Sequence, residues 1–399
     1  MSERIIYKSA VLIDGTGNEP VLNACMVVEG RQVVEIGKFD DSVLKRENGK
    51  VVDLQGKVIV PGVIDAHVHV TIDPDADFAG FVGRDSLTKI SIRGMINLRK
   101  TLHGGVTYIR DLGSYRHVDI ELKKCLAEGL IEGPDFLAAG EMITMTGGHG
   151  WKLGRECDGP ADARKAAREQ IKAGADVIKI MATGGNLTPG MPGAPQLSEE
   201  EIRAAVEEAH KAGKKTTTHS HGAEGIKNAL RAGIDCIEHG MYIDEEALQY
   251  MLDHNIYYVP TLVGPWICAE VGEERGLPMD AVRKTKSSIK RHMESFKMAQ
   301  KIGVKIGMGT DAGTPFCEHG KGYIDELRLM VSGGFTPMQA IVAATKTSSE
   351  ILGVSENYGT LEKGKTADFL VLNENPLNNI GAYGSLHDVY KNGIKVKRE

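Results

Sequence analysis

Two His-x-His pairs stand in this chain, His67-Val68-His69 and His219-Ser220-His221. Residues two apart on an extended strand project to one face, so each pair can present two imidazoles to one metal ion. Three further short runs carry chemistry of the same kind. Lys179 interrupts the apolar stretch Val177-Ile178-Lys179-Ile180-Met181, Glu238-His239-Gly240 ends a second run, and Gly309-Thr310-Asp311-Ala312-Gly313 ends a third. An ammonium inside an apolar strand must be paired, neutralised or modified, because burying it alone is costly. Desolvation lowers its pKa and leaves a nucleophilic amine. Such an amine can take up CO2 and become a carbamate, whose two oxygens can bridge two cations. Four or five histidines, one lysine and one aspartate suffice to hold two metals about 3.5–4 Å apart with a hydroxide between them. Taken singly, each motif also fits a blander role: a common His-x-His, a salt-bridged core lysine, a turn aspartate. Their arrival together at the ends of successive apolar runs is what points to a site.

A scaffold that gathers strand ends is therefore required. From Val58 to about Val354, short apolar runs alternate with charged, Ala-rich windows, the texture of repeated β/α units. The pattern predicts strands at 58–64, 106–111, 136–141, 177–182, 216–221, 236–238, 257–261 and 305–308. Helical windows fall at 198–211, 223–232, 244–254 and 337–352. Ser198 followed by three glutamates is a helix start, as is Thr336-Pro337. Eight units in about 300 residues fit a (β/α)8 TIM barrel better than a doubly wound sheet. In that barrel the C-terminal ends of all the strands line one mouth, where the chemistry belongs. The chain ends read differently, as short strands at 4–14, 25–36, 50–54, 367–372 and 388–396, the last with an Asn392-Gly393 turn. The expected organisation is a small β-sandwich from residues 1–57 plus 359–399, and a barrel at 58–358.

Composition narrows the function classes. The 399 residues carry 48 Lys+Arg against 54 Asp+Glu, net charge -6, with 5% aromatics. A nucleic-acid partner would need a basic face with stacking platforms, so that class is set aside. The six cysteines, at 25, 125, 157, 236, 268 and 317, form no C-x-x-C pair, which argues against zinc ribbons and for reduced thiols in a cytoplasmic protein. No apolar run suggests a signal peptide or a membrane span. One decoy remains. Gly359 to Thr366, GTLEKGKT, matches the phosphate-loop spacing G-x-x-x-x-G-K-[ST]. That loop needs a strand before it and a helix after it. Here a helical window precedes it and the strand-like ADFLVL follows, so it reads as a turn into the sandwich.

The segments PGVIDAHVH, VIKIMATGG, HSHGAEGI, IEHG and GTDAG, with GTLEKGKTADFLVL near the end, resemble the amidohydrolase superfamily of metal-dependent hydrolases. The nearest subgroup is the imidazolonepropionase-like one, which includes prolidases and carboxypeptidases that remove a C-terminal Pro, Arg or Lys. The resemblance spans nearly the whole chain. It implies that His67 and His69 are ligands from the first strand, Lys179 is the carboxylated bridging lysine, His219 and His239 are ligands from strands five and six, and Asp311 is both ligand and catalytic aspartate. It further implies two divalent cations, with zinc suited to these ligands and manganese, cobalt or iron open. His149 and His221 would contact substrate, although spacing alone does not separate His219 from His221.

The activity expected is hydrolysis of the amide bond of a dipeptide or N-acyl amino acid by a bridging hydroxide, with a small-molecule substrate and a homo-oligomeric assembly. Neighbouring chemistries are a cyclic-amide (imidazolone-type) hydrolase and a deaminase. The deaminase branch carries Glu three residues after the strand-five ligand. That position is Gly222 after His219, whereas His221 and Glu224 do have the spacing. A reading of another class is a non-catalytic metal-binding barrel. Loops at 71–94 and 264–300 are expected to shape the pocket.

Overall fold

A computed structural model describes residues 4–397 except Asn48 and Pro189, with the side chains at 45–47 also undescribed. Val63–Val68, Val106–Asp111 and Asp135–Ala138 pair in parallel, in chain order. A second parallel run joins Ile143–Thr144, Val177–Met181, Lys215–Gly222, Cys236–Tyr242 and Tyr257–Val259. The segment 305–308 lies between the two runs. Tyr258 N donates to Lys305 O at 3.0 Å, and Ala66 N donates to Met308 O at 3.0 Å. On the other side Asp176 N donates to Ala138 O at 2.8 Å. Helices connect the strands and cover them outside, which gives the (β/α)8 barrel that the alternation predicts.

Local chemistry explains the connections. Ser198 and Glu201 form a reciprocal capping box at the start of Glu199–Lys211, and Thr336 and Gln339 do the same ahead of Pro337–Val342. The central strands are buried on both faces, as Val177–Met181 shows with every residue buried, Lys179 included. Among the described residues, no helix is long and apolar enough to cross a membrane.

Several sequence expectations need correction. The strand predicted at 58–64 is two strands, Val58–Pro61 and Val63–Val68, and only the second belongs to the barrel. Gly62 separates them, where a Cβ would lie 2.2 Å from Thr107 Oγ1. The predicted 25–36 strand is a hairpin of Val21–Glu29 and Gln32–Lys38, turned at Gly30 with φ 58°. At 305–308 the contact with the preceding strand is a single bridge, Tyr258 to Ile306.

The helix predicted at 337–352 holds a π-helical stretch, Ala343–Thr347. There Ser348 Oγ donates to Ala343 O at 2.8 Å and accepts from Met308 N at 3.1 Å. This exchange loosens the helix ladder beneath the eighth strand. The expected loop at 71–94 is a loop as far as Ser86, whereas 264–300 is largely helical. Leu87–His103 begins inside 71–94, while Val263–Val271 and Met279–Ile302 fill most of 264–300. The long helix escaped detection because Thr285, Ser288, His292 and Ser295 occupy its buried stripe, where apolar residues are expected.

Strands from both chain ends share one sheet, in the order Ile394–Lys395, Leu386–Lys391, Phe369–Leu372, Val58–Pro61, Arg4–Leu12, Val21–Glu29, Gln32–Lys38, with Lys50–Asp53 also on Arg4–Leu12. This is the β-sandwich unit beside the barrel. Its core centres on Tyr7, whose ring meets Phe369 and Tyr390 edge-on at 5.1 and 5.3 Å. The phosphate-loop decoy is built into it. Gly364 N donates to Val33 O at 2.8 Å, and Lys365 Nζ is held by Ser355 O and Thr360 Oγ1. The strand Phe369–Leu372 follows, so no helix N-terminus faces the loop.

Gly309 marks how tightly the eighth strand packs against the first. A Cβ there would lie 2.6 Å from Val259 Cγ1 and 2.9 Å from His67 Cβ. Gly309→Ala is expected to cost about 1–3 kcal/mol of stability by overpacking, read as a lowered thermal midpoint beside the unaltered protein.

Candidate metal centre and active site

The C-terminal ends of the barrel strands open on one cavity of about 380 Å³. His67, His69, His149, Lys179, His219, His221, His239 and Asp311 all line it. Residues far apart in the chain therefore meet at one rim, and every expected site residue is among them.

Asp311 is the hub. Its Oδ1 lies 3.3 Å from His67 Nε2 and 3.3 Å from His69 Nε2. One ligand atom each from His67, His239 and Asp311 falls within 4.8 Å of the others, a spacing that suits one cation or the border between two adjacent ones. A second group of rings adjoins this one. His219 lies 4.5 Å from His239, 4.5 Å from His221 and 4.1 Å from His149, measured between ring centroids. His221 is 5.2 Å from His239, so both strand-five histidines adjoin the same neighbour.

Backbone conformation helps to aim these groups. His239, Thr261 and Asp311 hold φ of 69°, 50° and 62°, in the left-handed region that non-glycine residues rarely adopt. Strict alternation would send Glu238 and His239 to opposite faces. The turn at His239 lets both face the barrel interior.

Fixed partners set the rings. His67 Nδ1 pairs with Glu238 Oε2 at 2.9 Å, which directs its Nε2 to the cavity. His69 Nδ1 pairs with Gly113 O at 3.1 Å, and His239 Nδ1 with Thr261 Oγ1 at 2.6 Å. Glu238 is itself fully buried and accepts from Arg110 Nη2 at 2.6 Å and from Thr217 Oγ1. Arg110 Nε donates to Ala66 O at 2.7 Å, one residue before His67. The His239 carbonyl accepts from Tyr258 OH and pairs with His292 Nε2, each at 2.8 Å.

Arg110, Glu238, Thr261 and His292 were not singled out from sequence. A signal existed only for Glu238, which adjoins His239 in the strand-six motif. The others act through contacts between distant segments, which spacing does not reveal.

Electrostatics favour an ionised aspartate and, at every site histidine except His69, a neutral imidazole. Burial, with Lys179 adding to it, lowers His67 to about 4, and burial lowers His149 to about 4 as well. Burial also holds His219, His221 and His239 well below the usual range, reinforced by neighbouring histidines. Burial works against the Asp311 carboxylate, but His67, His69 and Lys179 outweigh it and bring Asp311 to about 2. Burial lowers Lys179 to about 8, against the pull of Glu238 and Asp311. Burial works against a charged His69 as well, but Asp311, Asp111 and Gly113 O outweigh it and raise that ring above the usual range. A metal ion needs unprotonated ligands, which His67, His219 and His239 supply, while a cation would displace the proton that Asp311 favours on His69.

Unsatisfied atoms test the fit further. Lys179 Nζ, His219 Nε2 and His221 Nδ1 are buried without a hydrogen-bond partner. Buried polar atoms are nearly always paired, so these atoms call for a group bound among them. The donor set fits divalent cations, and Lys179 fits conversion to a carbamate.

The model of the Amidohydrolase family matches residues 58–396. Ochratoxinase from Aspergillus niger is 32% identical, over 95% of this chain and 83% of its own length. A Xaa-Pro dipeptidase solved with methionine bound in its active site superposes with a TM-score of 0.90 at 30% identity, covering 99% of this chain and 100% of that one. A prolidase solved with N-methylphosphonate-L-proline gives a TM-score of 0.89 at 30% identity, over 99% and 100% of the two chains. On its fold, its cavity and these likenesses, the chain belongs to the amidohydrolase family.

Proposed function

We propose that this chain hydrolyses the amide bond of a dipeptide or an N-acyl amino acid with two divalent cations, zinc foremost, bound at the barrel mouth. The observation that carries this reading is the convergence of His67, His69, Lys179, His219, His239 and Asp311 on one cavity, with buried nitrogens left unpaired. The family supports metal-dependent hydrolysis of C–N bonds, and the prolidase and ochratoxinase likenesses support an amino-acid amide.

His67, His69 and Asp311 would hold one cation, His219 and His239 the other, with a carboxylated Lys179 between them. When bound, the cations supply a water that ionises near neutral pH and polarise the scissile carbonyl. Asp311, held ionised, accepts a proton on its carboxylate and returns it to the departing amine nitrogen. His149 and His221, on the cavity wall, donate to the substrate's carbonyl oxygen or its carboxylate. Glu238 keeps His67 in the tautomer that offers Nε2.

Deamination loses its main support. Glu224, which completes the spacing from His221, is exposed on the first helical turn and lies outside the cavity lining. The free thiols of Cys125, Cys157, Cys236, Cys268 and Cys317 support a reducing and hence cytoplasmic setting.

Three outcomes are expected. Asp311→Asn should lower kcat by about 10²–10⁴, with retained metal measured by mass spectrometry; turnover at the unaltered rate would exclude the proton shuttle. Lys179→Ala should lose metal from the bridged position, and the unaltered protein grown with labelled bicarbonate should show a carbamate carbon by NMR. Chelation should abolish hydrolysis and lower the thermal midpoint, and zinc should restore both.

A further inference from the structure

Away from the histidines, the cavity wall is mostly apolar, with Asn186, Thr188, Thr285 and Thr314 as its neutral polar members. Phe78, Met142, Trp151, Leu153, Leu187 and Pro265 form its apolar part. The formal charges in the lining, apart from the metal-centre residues, are Asp77 and Lys152. Asp77 is 74% exposed and lies 3.6 Å from Arg84. It is therefore in solvent, already paired, and unable to give a buried counter-ion to a basic side chain. A guanidinium or ammonium carried into this wall would be desolvated with no counter-charge, and with only neutral acceptors such as Asn186 Oδ1 to meet it.

The other charge stands differently. Lys152 is exposed at the cavity edge and has no ion-pair partner among the described residues. Its ammonium sits 6.0 Å from the Trp151 ring. Trp151 itself is 45% exposed, although its loop is pinned. His149 N donates to Gln196 Oε1 at 2.9 Å, Gly147 N to Glu156 Oε1 at 2.7 Å, and Leu153 N to Gly150 O at 2.9 Å. A half-open tryptophan on a pinned loop, beside a cation with no ion-pair partner among the described residues, is a surface for an apolar group that bears a negative charge.

The geometry points to a substrate whose amino-acid part carries a large uncharged side chain, packed on Trp151 and the apolar wall, and a free carboxylate met by Lys152. This rests on the amide-hydrolase reading and narrows it, setting basic leaving groups aside. Lys152 is then a specificity residue, outside the proton-transfer machinery.

The test is calorimetric binding of three non-hydrolysable probes to the metal-loaded protein: hydrocinnamate, hydrocinnamyl alcohol and guanidinobutyrate. Hydrocinnamate should bind at least about tenfold more tightly than guanidinobutyrate. Lys152→Gln should weaken hydrocinnamate by about fivefold relative to the alcohol. Equal or tighter binding of guanidinobutyrate overturns the apolar selection. An unchanged ratio of acid to alcohol in the variant overturns the role of Lys152. None of these probes is cleaved, so failure to hydrolyse any amide would count against the proposed reaction alone and leave the binding result to stand.

Discussion

A barrel interior excludes polar groups that it cannot pair, and this one retains several. Among the described residues, Lys179 Nζ, His219 Nε2 and His221 Nδ1 are buried with no hydrogen-bond partner. Each such atom costs about 1–3 kcal/mol when left unsatisfied. All three residues line one cavity, where bound groups can satisfy them. The rest of the molecule is organised around holding that convergence in place.

The support is layered. Glu238 orients His67, Arg110 neutralises Glu238, and the same Arg110 also grips Ala66 O on the first strand. Thr261 orients His239, while Tyr258 and His292 hold the His239 carbonyl. Glu238 is kept below the usual carboxylate range, since Arg110 and His67 outweigh the opposing effect of burial. The buried charge is thus compensated within the barrel. The backbone contributes through left-handed φ at His239, Thr261 and Asp311, a strain that persists where surrounding contacts over-determine it.

The cavity joins two unlike surfaces. Its floor is a cluster of ionisable groups tuned, His69 apart, toward neutral imidazole and ionised carboxylate, whereas its walls are mostly apolar and its edge carries Lys152. Chemistry and selection are thereby separated. The floor comes from strand ends that are fixed by barrel closure, and the walls come from the connections between strands and helices. Members of one family can keep the first while varying the second.

Much of this was legible in the order of residues. Short apolar runs that alternate with helical windows specify the barrel, and the His-x-His pairs, Lys179 and Asp311 mark its strands, because both patterns follow from local geometry. The long helix Met279–Ile302 was illegible, since its buried face carries Thr285, Ser288 and His292, which serve the site rather than a greasy core. So was the division at Gly62, where a continuous apolar run changes sheets. Sequence alone determined which side chains can do chemistry and which strands carry them. Tertiary structure decided that Arg110 and Glu238 lock His67, that His239 turns inward, and that Glu224 points away, because those outcomes depend on contacts between segments more than a hundred residues apart or on a backbone torsion that no spacing encodes.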